Sequence, residues 1–233
     1  MALPDYKNAL IVGAGRGLSA SLTRLLTREG LGVILVARDI AKLESLCKET
    51  GARAIRCDAQ DEIQVAQLFD ETDRLGCSPD VVIYNASSRA RGLLVDVSPA
   101  DVQRSLQITA YGAFLVAQQA VRRMLPKAYG AILFTGASAS VKGYARSAPF
   151  AMGKFALRGL AQSMARELAP QGIHVAHFVI DGAIRPSGHT EDAARPDSML
   201  DPDAVASTYL NILRQPRSAW TWEVELRAWV ETF

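Results

Sequence analysis

Cysteine is scarce in this sequence of 233 residues. The three cysteines, Cys47, Cys57 and Cys77, are scattered and lack the CxxC spacing that is typical of zinc and redox sites. Free thiols are typical of a reducing compartment. We therefore expect a cytoplasmic protein with no metal site.

Long apolar runs and long charged runs are also lacking. No apolar stretch reaches the roughly 20 residues that a membrane helix needs, and residues 1–12 lack a charged segment followed by an apolar one. The net charge is +2, and lysine and arginine form no run. We therefore expect a protein that contacts neither a membrane nor a nucleic acid.

No linker rich in proline, glycine or serine divides the chain, so residues 1–233 are expected to form one domain. Short runs rich in valine and isoleucine alternate with longer amphipathic segments. The predicted strands are 9–15, 32–38, 52–58, 80–87, 130–138 and 172–180. The helices predicted after the second, third, fourth and fifth of these strands end near residues 50, 75, 125 and 168. Continuous apolar strands between helices predict a doubly wound, Rossmann-type parallel sheet with helices on both faces.

Two further segments are conspicuous. Residues 182–203 form a long loop after the sixth strand, where α/β sheets place their ligands, so we expect a substrate loop or lid there. The tail 218–233 contains all three tryptophans. It is expected to be a final strand at a subunit contact, or an aromatic flap on the protein's own core.

The first predicted strand leads into the glycine-rich turn VGAGRGL. Glycines let a backbone turn sharply and approach a pyrophosphate, and the following helix N-terminus favours an anion. Such a turn can also be purely structural, but its position at the start of an alternating array favours nucleotide binding. The predicted contacts are Gly13, Gly15, Arg16, Gly17 and Leu18.

The end of the second strand bears on the choice of nucleotide. Enzymes that use NAD usually place an acid there to hold the ribose hydroxyls, whereas this sequence has Arg38. Its guanidinium suits a 2′-phosphate, with Arg16 as a second charge. Asp39 leaves open the alternative that a carboxylate reaches the ribose. We predict NADP(H) rather than NAD(H).

Together these motifs resemble the short-chain dehydrogenases/reductases of the classical, single-domain type, over nearly the whole chain. Gly13 to Gly17 matches the family's cofactor motif, with Ser19 in place of its last glycine. The resemblance implies further cofactor contacts after the third, fourth and sixth strands. These are Asp58, Ala59, Asn85, Ala86, Ser87, Gly182 and Ile184.

The departures from the family concern its chemistry. In the family, the tyrosine of a Tyr-x-x-x-Lys pair protonates the substrate carbonyl, and the lysine tunes the phenol and holds the ribose. Here Phe150 stands at the tyrosine position and Lys154 at the lysine position, which resembles a divergent branch of the family. Thr109 occupies the place of the family's asparagine, and Ala137 that of its serine.

The remaining groups still allow chemistry. We predict that Lys154 is a cofactor ligand that also stabilises developing negative charge, and the alternative is that its amine only extends to water. Water, Ser138 beside the expected serine, or Tyr144 in the preceding loop is a candidate for the missing proton donor. Ser140 is a second candidate for the serine.

Two functions are the main hypotheses from the sequence. One is an NADP(H)-dependent oxidoreductase with an atypical active site, acting on a carbonyl or alcohol substrate that the sequence does not identify. The other is a non-catalytic NADP(H)-binding or assembly protein. A third alternative is a different reaction on the same scaffold, such as that of a lyase or isomerase, which needs no phenol. The resemblance also implies a homodimer or homotetramer.

Overall fold

The computed structural model describes residues 4–189 and 194–231, and in this part of the chain seven parallel strands form one sheet. The strands pair in the order β3-β2-β1-β4-β5-β6-β7, so the winding reverses between β1 and β4. The doubly wound fold that the sequence predicts is confirmed. The strands are β1 (Asn8–Val12), β2 (Gly32–Ala37), β3 (Arg53–Arg56), β4 (Val81–Tyr84), β5 (Gly130–Thr135), β6 (Ile173–Asp181) and β7 (Glu223–Arg227).

Helices cover both faces of the sheet because alternate side chains of each buried strand point to opposite sides. In β1, Ala9 and Ile11 enter one hydrophobic core, and Leu10 and Val12 enter the other. Helices α1, α2 and α7 pack on the first core, and α3, α5 and α6 on the second. The helices are α1 (Leu18–Arg28), α2 (Glu44–Thr50), α3 (Glu62–Arg74), α4 (Pro99–Leu106), α5 (Gly112–Met124), α6 (Ala148–Leu168) and α7 (Pro202–Leu213).

Helix α4 begins at a serine cap followed by a proline. The Ser98 hydroxyl accepts the backbone N–H of Ala100 at 3.2 Å, and Pro99 is the first helical residue. The continuous helix that the sequence predicts up to residue 125 is interrupted by a π-turn at Gln107–Tyr111. Such turns are frequent at functional sites, and this one contains Thr109.

Five of the six predicted strands end earlier than the sequence predicts, and β6 ends one residue later, at Asp181. The strand predicted over 80–87 ends at Tyr84, and the one over 130–138 ends at Thr135. Several residues that follow these two strands line a cleft at the carboxyl edge of the sheet, namely Asn85, Ser87, Gly136, Ala137 and Ser138. The tail contributes β7, which pairs with β6, so the prediction of a final strand there is right.

The two ends of the loop predicted over 182–203 pair with each other. The N–H of Leu200 donates to the carbonyl oxygen of Ala183, and the N–H of Arg185 donates to that of Leu200, both at 2.8 Å. Residues 190–193 of this loop lie outside the described residues. The loop also ends sooner than predicted, because Asp201 caps α7, a helix that the sequence analysis did not predict.

Four apolar side chains on the π-turn, α5 and α6 are 41–47% exposed, namely Tyr111, Phe114, Met152 and Phe155. Within the described residues, no helix has the length and hydropathy to cross a bilayer. Over the same residues, no cluster of three histidine, cysteine, aspartate or glutamate side chains is placed to hold a metal ion.

Candidate functional site

The turn between β1 and α1 depends on Gly13, whose φ of 84° is left-handed. A side chain there would lie 2.5 Å from the Cα atom of Ala86, so only glycine lets the turn approach the segment after β4. Ser19 secures the same turn. Its hydroxyl donates to the carbonyl oxygen of Gly13 at 3.4 Å and accepts the N–H of Gly15 at 3.2 Å. The serine that replaces the family's last glycine therefore holds the turn in shape.

The outer side of this turn is open. An added side chain at Gly15 or Gly17 would meet no protein atom within 4 Å. Helix α1 starts directly after Gly17 without a side-chain cap and without an acid in its first turn. The backbone N–H groups and the positive end of the helix dipole therefore border free space, an arrangement that suits a bound anion.

A first cavity of about 260 Å³ lies beside this turn, over the carboxyl ends of β1, β2 and β4. The structure brings seven of the fourteen predicted cofactor residues together around it. Those lining it are Gly13, Arg38, Asp58, Ala59, Asn85, Ala86 and Ser87.

The charges at the rim of the first cavity differ from the prediction. Lys42, which the sequence analysis missed, lines the first cavity with Arg38, whereas Arg16 lines the neighbouring central cavity. Asp39 does not line the first cavity. Its carboxylate accepts the backbone N–H of Ala41 at 3.1 Å, and so holds the loop after β2.

The central cavity has a volume of about 730 Å³ and adjoins the first, because Asn85 and Ser87 line both. It lies between the glycine turn, the end of β5 and helix α6. Further predicted residues meet on its wall, namely Arg16, Gly17, Leu18, Ser138, Phe150, Lys154, Gly182 and Ile184.

Lys154 lies on the wall of the central cavity and is only 3% exposed. Its ammonium donates to the carbonyl oxygen of Thr135 at 2.7 Å, and no carboxylate among the described residues pairs with it. Burial lowers the pKa of Lys154 to about 7 because the charged form loses its hydration. The alternative that this amine merely extends to water is therefore wrong.

Phe150 is half-buried one helical turn before Lys154. The Lys154 ammonium lies 5.8 Å from the centre of the phenyl ring, and the guanidinium carbon of Arg89 lies 5.1 Å from it. Two cations therefore contact the ring, whose face attracts positive charge. The ring has no proton to donate.

The structure distinguishes between the two candidate serines. Ser138 is half-buried and lines the central cavity. Ser140 is fully buried, and its hydroxyl accepts the N–H of Ala137 at 3.2 Å, so it serves its own loop. Thr109 is also fully buried, and its hydroxyl accepts the N–H of Ser88 at 3.2 Å.

Tyr144 and Lys154 line different cavities. Tyr144 lines an outer cavity of about 790 Å³ that continues from the central cavity past Phe150 and Ser138. Its side chain is 44% exposed, and the Lys142 ammonium lies 5.7 Å from its ring centre. Tyr144 is therefore placed near the mouth of the site.

A charged network behind the central cavity was missed by sequence reasoning. Arg158 lies one helical turn after Lys154 and forms two hydrogen bonds to the Glu223 carboxylate, at 2.6 and 2.8 Å. The same carboxylate lies 3.0 Å from Nδ1 of His177, whose pKa burial lowers to about 4. His177 is therefore neutral at pH 7 and donates from Nδ1. The spacing of Lys154 and Arg158 was the available signal.

A doubly wound sheet with an open glycine turn and a cleft at the carboxyl ends of its strands defines the Rossmann class of α/β proteins. A model of the short chain dehydrogenase family matches residues 7–194. This chain belongs to the short chain dehydrogenase family.

Three individual proteins illustrate the relationship. Carbonyl reductase family member 4 of Xenopus tropicalis is 28% identical over 219 residues, which cover 90% of this chain and 92% of that protein. The crystal structure of a short-chain dehydrogenase from Rhodopseudomonas palustris is 32% identical and superposes with a TM-score of 0.83, covering 95% of this chain and 98% of the other. An alcohol dehydrogenase of the archaeon Thermococcus sibiricus, solved in complex with 5-hydroxy-NADP, is 21% identical and shares the fold with a TM-score of 0.84, covering 97% and 98%.

Proposed function

We propose that this protein is an NADP(H)-dependent oxidoreductase that acts on a carbonyl or alcohol substrate. One observation carries the proposal: a continuous cleft runs from the open glycine turn to the buried amine of Lys154. Membership of the short chain dehydrogenase family and the name of the Xenopus relative support a reaction of this type.

The residues present fit a dinucleotide. Gly15 and Gly17 leave open space where a pyrophosphate would approach the uncapped start of α1. Arg38 and Lys42 offer two cations to a 2′-phosphate at the rim of the first cavity. Asp58, which lines the same cavity, is proposed to contact the adenine.

At the other end of the cleft, Gly182 and Ile184 offer backbone groups to the nicotinamide, and Lys154 offers hydrogen bonds to its ribose. The cofactor supplies or accepts the hydride when it is bound. Ser138 is placed to donate a hydrogen bond to the substrate oxygen, and Tyr144 is proposed to contact the outer part of the substrate.

Lys154 has a second role in this proposal because Phe150 cannot donate a proton. An ammonium in a buried site stabilises negative charge on the substrate oxygen more strongly than one in water. A pKa of about 7 also means that Lys154 is present in both protonation states near neutral pH, which suits a group that donates and recovers a proton.

The second candidate function is binding of NADP(H) without catalysis. It is favoured by Phe150 and by the engagement of Thr109 in a local hydrogen bond. It shares the cofactor site with the first candidate and differs only in the absence of hydride transfer.

A titration with NADPH and NADH tests both candidates at the cofactor site. We expect saturable binding with a preference for NADPH, and we expect Arg38→Gln to weaken NADPH binding about tenfold while changing NADH binding little. Arg53→Gln, an exposed arginine on β3, is the charge-matched control. Turnover of aldehydes and ketones then separates the two candidate functions. If neither NADPH nor NADH binds, both candidate functions are contradicted.

A further inference from the structure

The outer cavity is bordered by two loops that meet across its mouth. One loop contributes Arg89 and Arg91, and the other contributes Arg146. The N–H of Gly92 donates to the carbonyl oxygen of Arg146 at 3.1 Å and so joins the two loops. This bond fixes their spacing, and therefore that of the arginines that they present.

These three arginines have the same electrostatic surroundings. All three are exposed, and within the described part of the chain none of them pairs with an acidic side chain. The guanidinium of Arg89 lies over the ring of Phe150, at the boundary between the central and outer cavities. Arg146 has a φ of 60°, a left-handed conformation that costs free energy in a residue with a long side chain.

The acidic residues of the outer cavity do not balance these charges. Asp181 is buried, and its carboxylate already lies 3.4 Å from the Lys142 ammonium and 2.9 Å from the Arg227 guanidinium. Glu231 is exposed and is the other acid on the wall. The cavity wall therefore carries an excess of positive charge next to the proposed reaction centre.

We propose that the outer cavity binds an oxyanion of the substrate, a carboxylate or phosphate carried by the carbonyl compound. This inference rests on the proposed function, because it assigns the substrate class of the same site. The N–H groups of a guanidinium match the spacing of two oxygens of a carboxylate or a phosphate, and they bind these anions with paired hydrogen bonds. A substrate with such a group would enter with its carbonyl towards Lys154 and its anion towards Arg91 and Arg146.

Binding of three matched probes tests the inference separately from catalysis. The probes are 4-acetylbenzoate, its neutral analogue 4-acetylbenzamide, and 4-acetylphenyl phosphate, titrated into the protein with and without NADP⁺. We expect at least one anion to bind about tenfold more tightly than the amide. The order of the two anions then identifies a carboxylate or a phosphate as the preferred group.

The double variant Arg91→Gln/Arg146→Gln assigns any preference to the outer cavity. We expect it to reduce the advantage of the anion to about threefold or less while NADPH binding is unchanged. The control Arg28→Gln/Arg53→Gln removes the same charge at exposed positions on α1 and β3 and should keep the advantage. An unchanged NADPH titration also shows that the double variant is folded.

Three results would overturn the inference: an amide that binds as tightly as both anions in the wild type, a double variant that retains the advantage, or a control that loses it equally. The comparison of the amide with the two anions uses only the wild-type protein, so it tests the inference even if the double variant fails to fold. A separate measurement tests the oxidoreductase proposal, namely the oxidation of bound NADPH in the presence of each probe. That proposal fails if no probe oxidises the bound NADPH.

Discussion

The burial of the Lys154 amine predicts how the stability of the folded protein changes with pH, and this can be tested without cofactor or substrate. Lys154 is 3% exposed, its ammonium donates to the carbonyl oxygen of Thr135 at 2.7 Å, and no acidic side chain among the described residues pairs with it. Burial therefore lowers its pKa from 10.5 to about 7. The charged form of this lysine destabilises the folded protein, and the size of that effect depends on pH.

The sign follows from proton binding. Below about pH 7 Lys154 is charged in both states, so the folded state bears the full penalty of the buried charge. Between about pH 7 and 10.5 the unfolded state binds more protons than the folded state, so the free energy of unfolding rises with pH. The difference between these pKa values corresponds to about 5 kcal/mol.

The Lys154→Met variant removes the charge and keeps an unbranched side chain. We expect it to be more stable than the wild type at about pH 6 by up to about 5 kcal/mol, and the advantage to shrink towards about pH 10. Guanidinium denaturation across this range measures the difference. Lys48→Met, which removes an exposed lysine on α2, controls for net charge. A difference between wild type and variant that stays constant with pH would refute the buried, uncompensated amine.

Two other changes test the active site and the association of subunits. Phe150→Tyr introduces a phenol one helical turn from Lys154. We therefore expect the rate of NADPH-dependent carbonyl reduction to rise about 100-fold without a change in NADPH affinity. An unchanged rate in a variant that still binds NADPH would contradict the proposed oxidoreductase site. The exposed apolar residues of α5 and α6 predict a dimer or tetramer in solution, and we expect Phe114→Ser/Phe155→Ser to give a monomer by light scattering. A wild-type monomer at micromolar concentration would argue against that surface as an interface.

Most of the fold could be predicted because the buried strands are continuous apolar runs, and their alternation with helices leaves few topologies. Helix α7 could not be recognised as readily. It follows a segment rich in proline and charge, and its apolar positions Val205, Tyr209 and Leu210 follow a predicted loop directly. The end of β5 was predicted too late because the small residues Gly136 and Ala137, which leave the sheet for the cleft, are also compatible with a buried strand.

The site could be predicted where a single local segment carries it. The glycine turn and the spacing of Phe150 and Lys154 are continuous in sequence, so their proximity follows from helix and turn geometry. Lys42, Arg89 and Arg146 come from separate loops, and only the tertiary structure shows that they line cavities. The choice between Ser138 and Ser140 likewise depends on the direction of each side chain, which the spacing in the sequence does not give.

The departures from the expected family pattern differ in their consequences on the two sides of the cleft. The proposed phosphate side depends on backbone groups and on the absence of side chains, and there Ser19, in the place of the family's last glycine, holds the turn through its hydroxyl. The substrate side depends on particular side chains, and there Phe150, Ala137 and Thr109 all differ from the expected groups. A site of this kind can keep its dinucleotide while its reaction changes. The two proposed functions share the proposed cofactor site, so we expect the group that faces Lys154 to distinguish an enzyme from a binding protein.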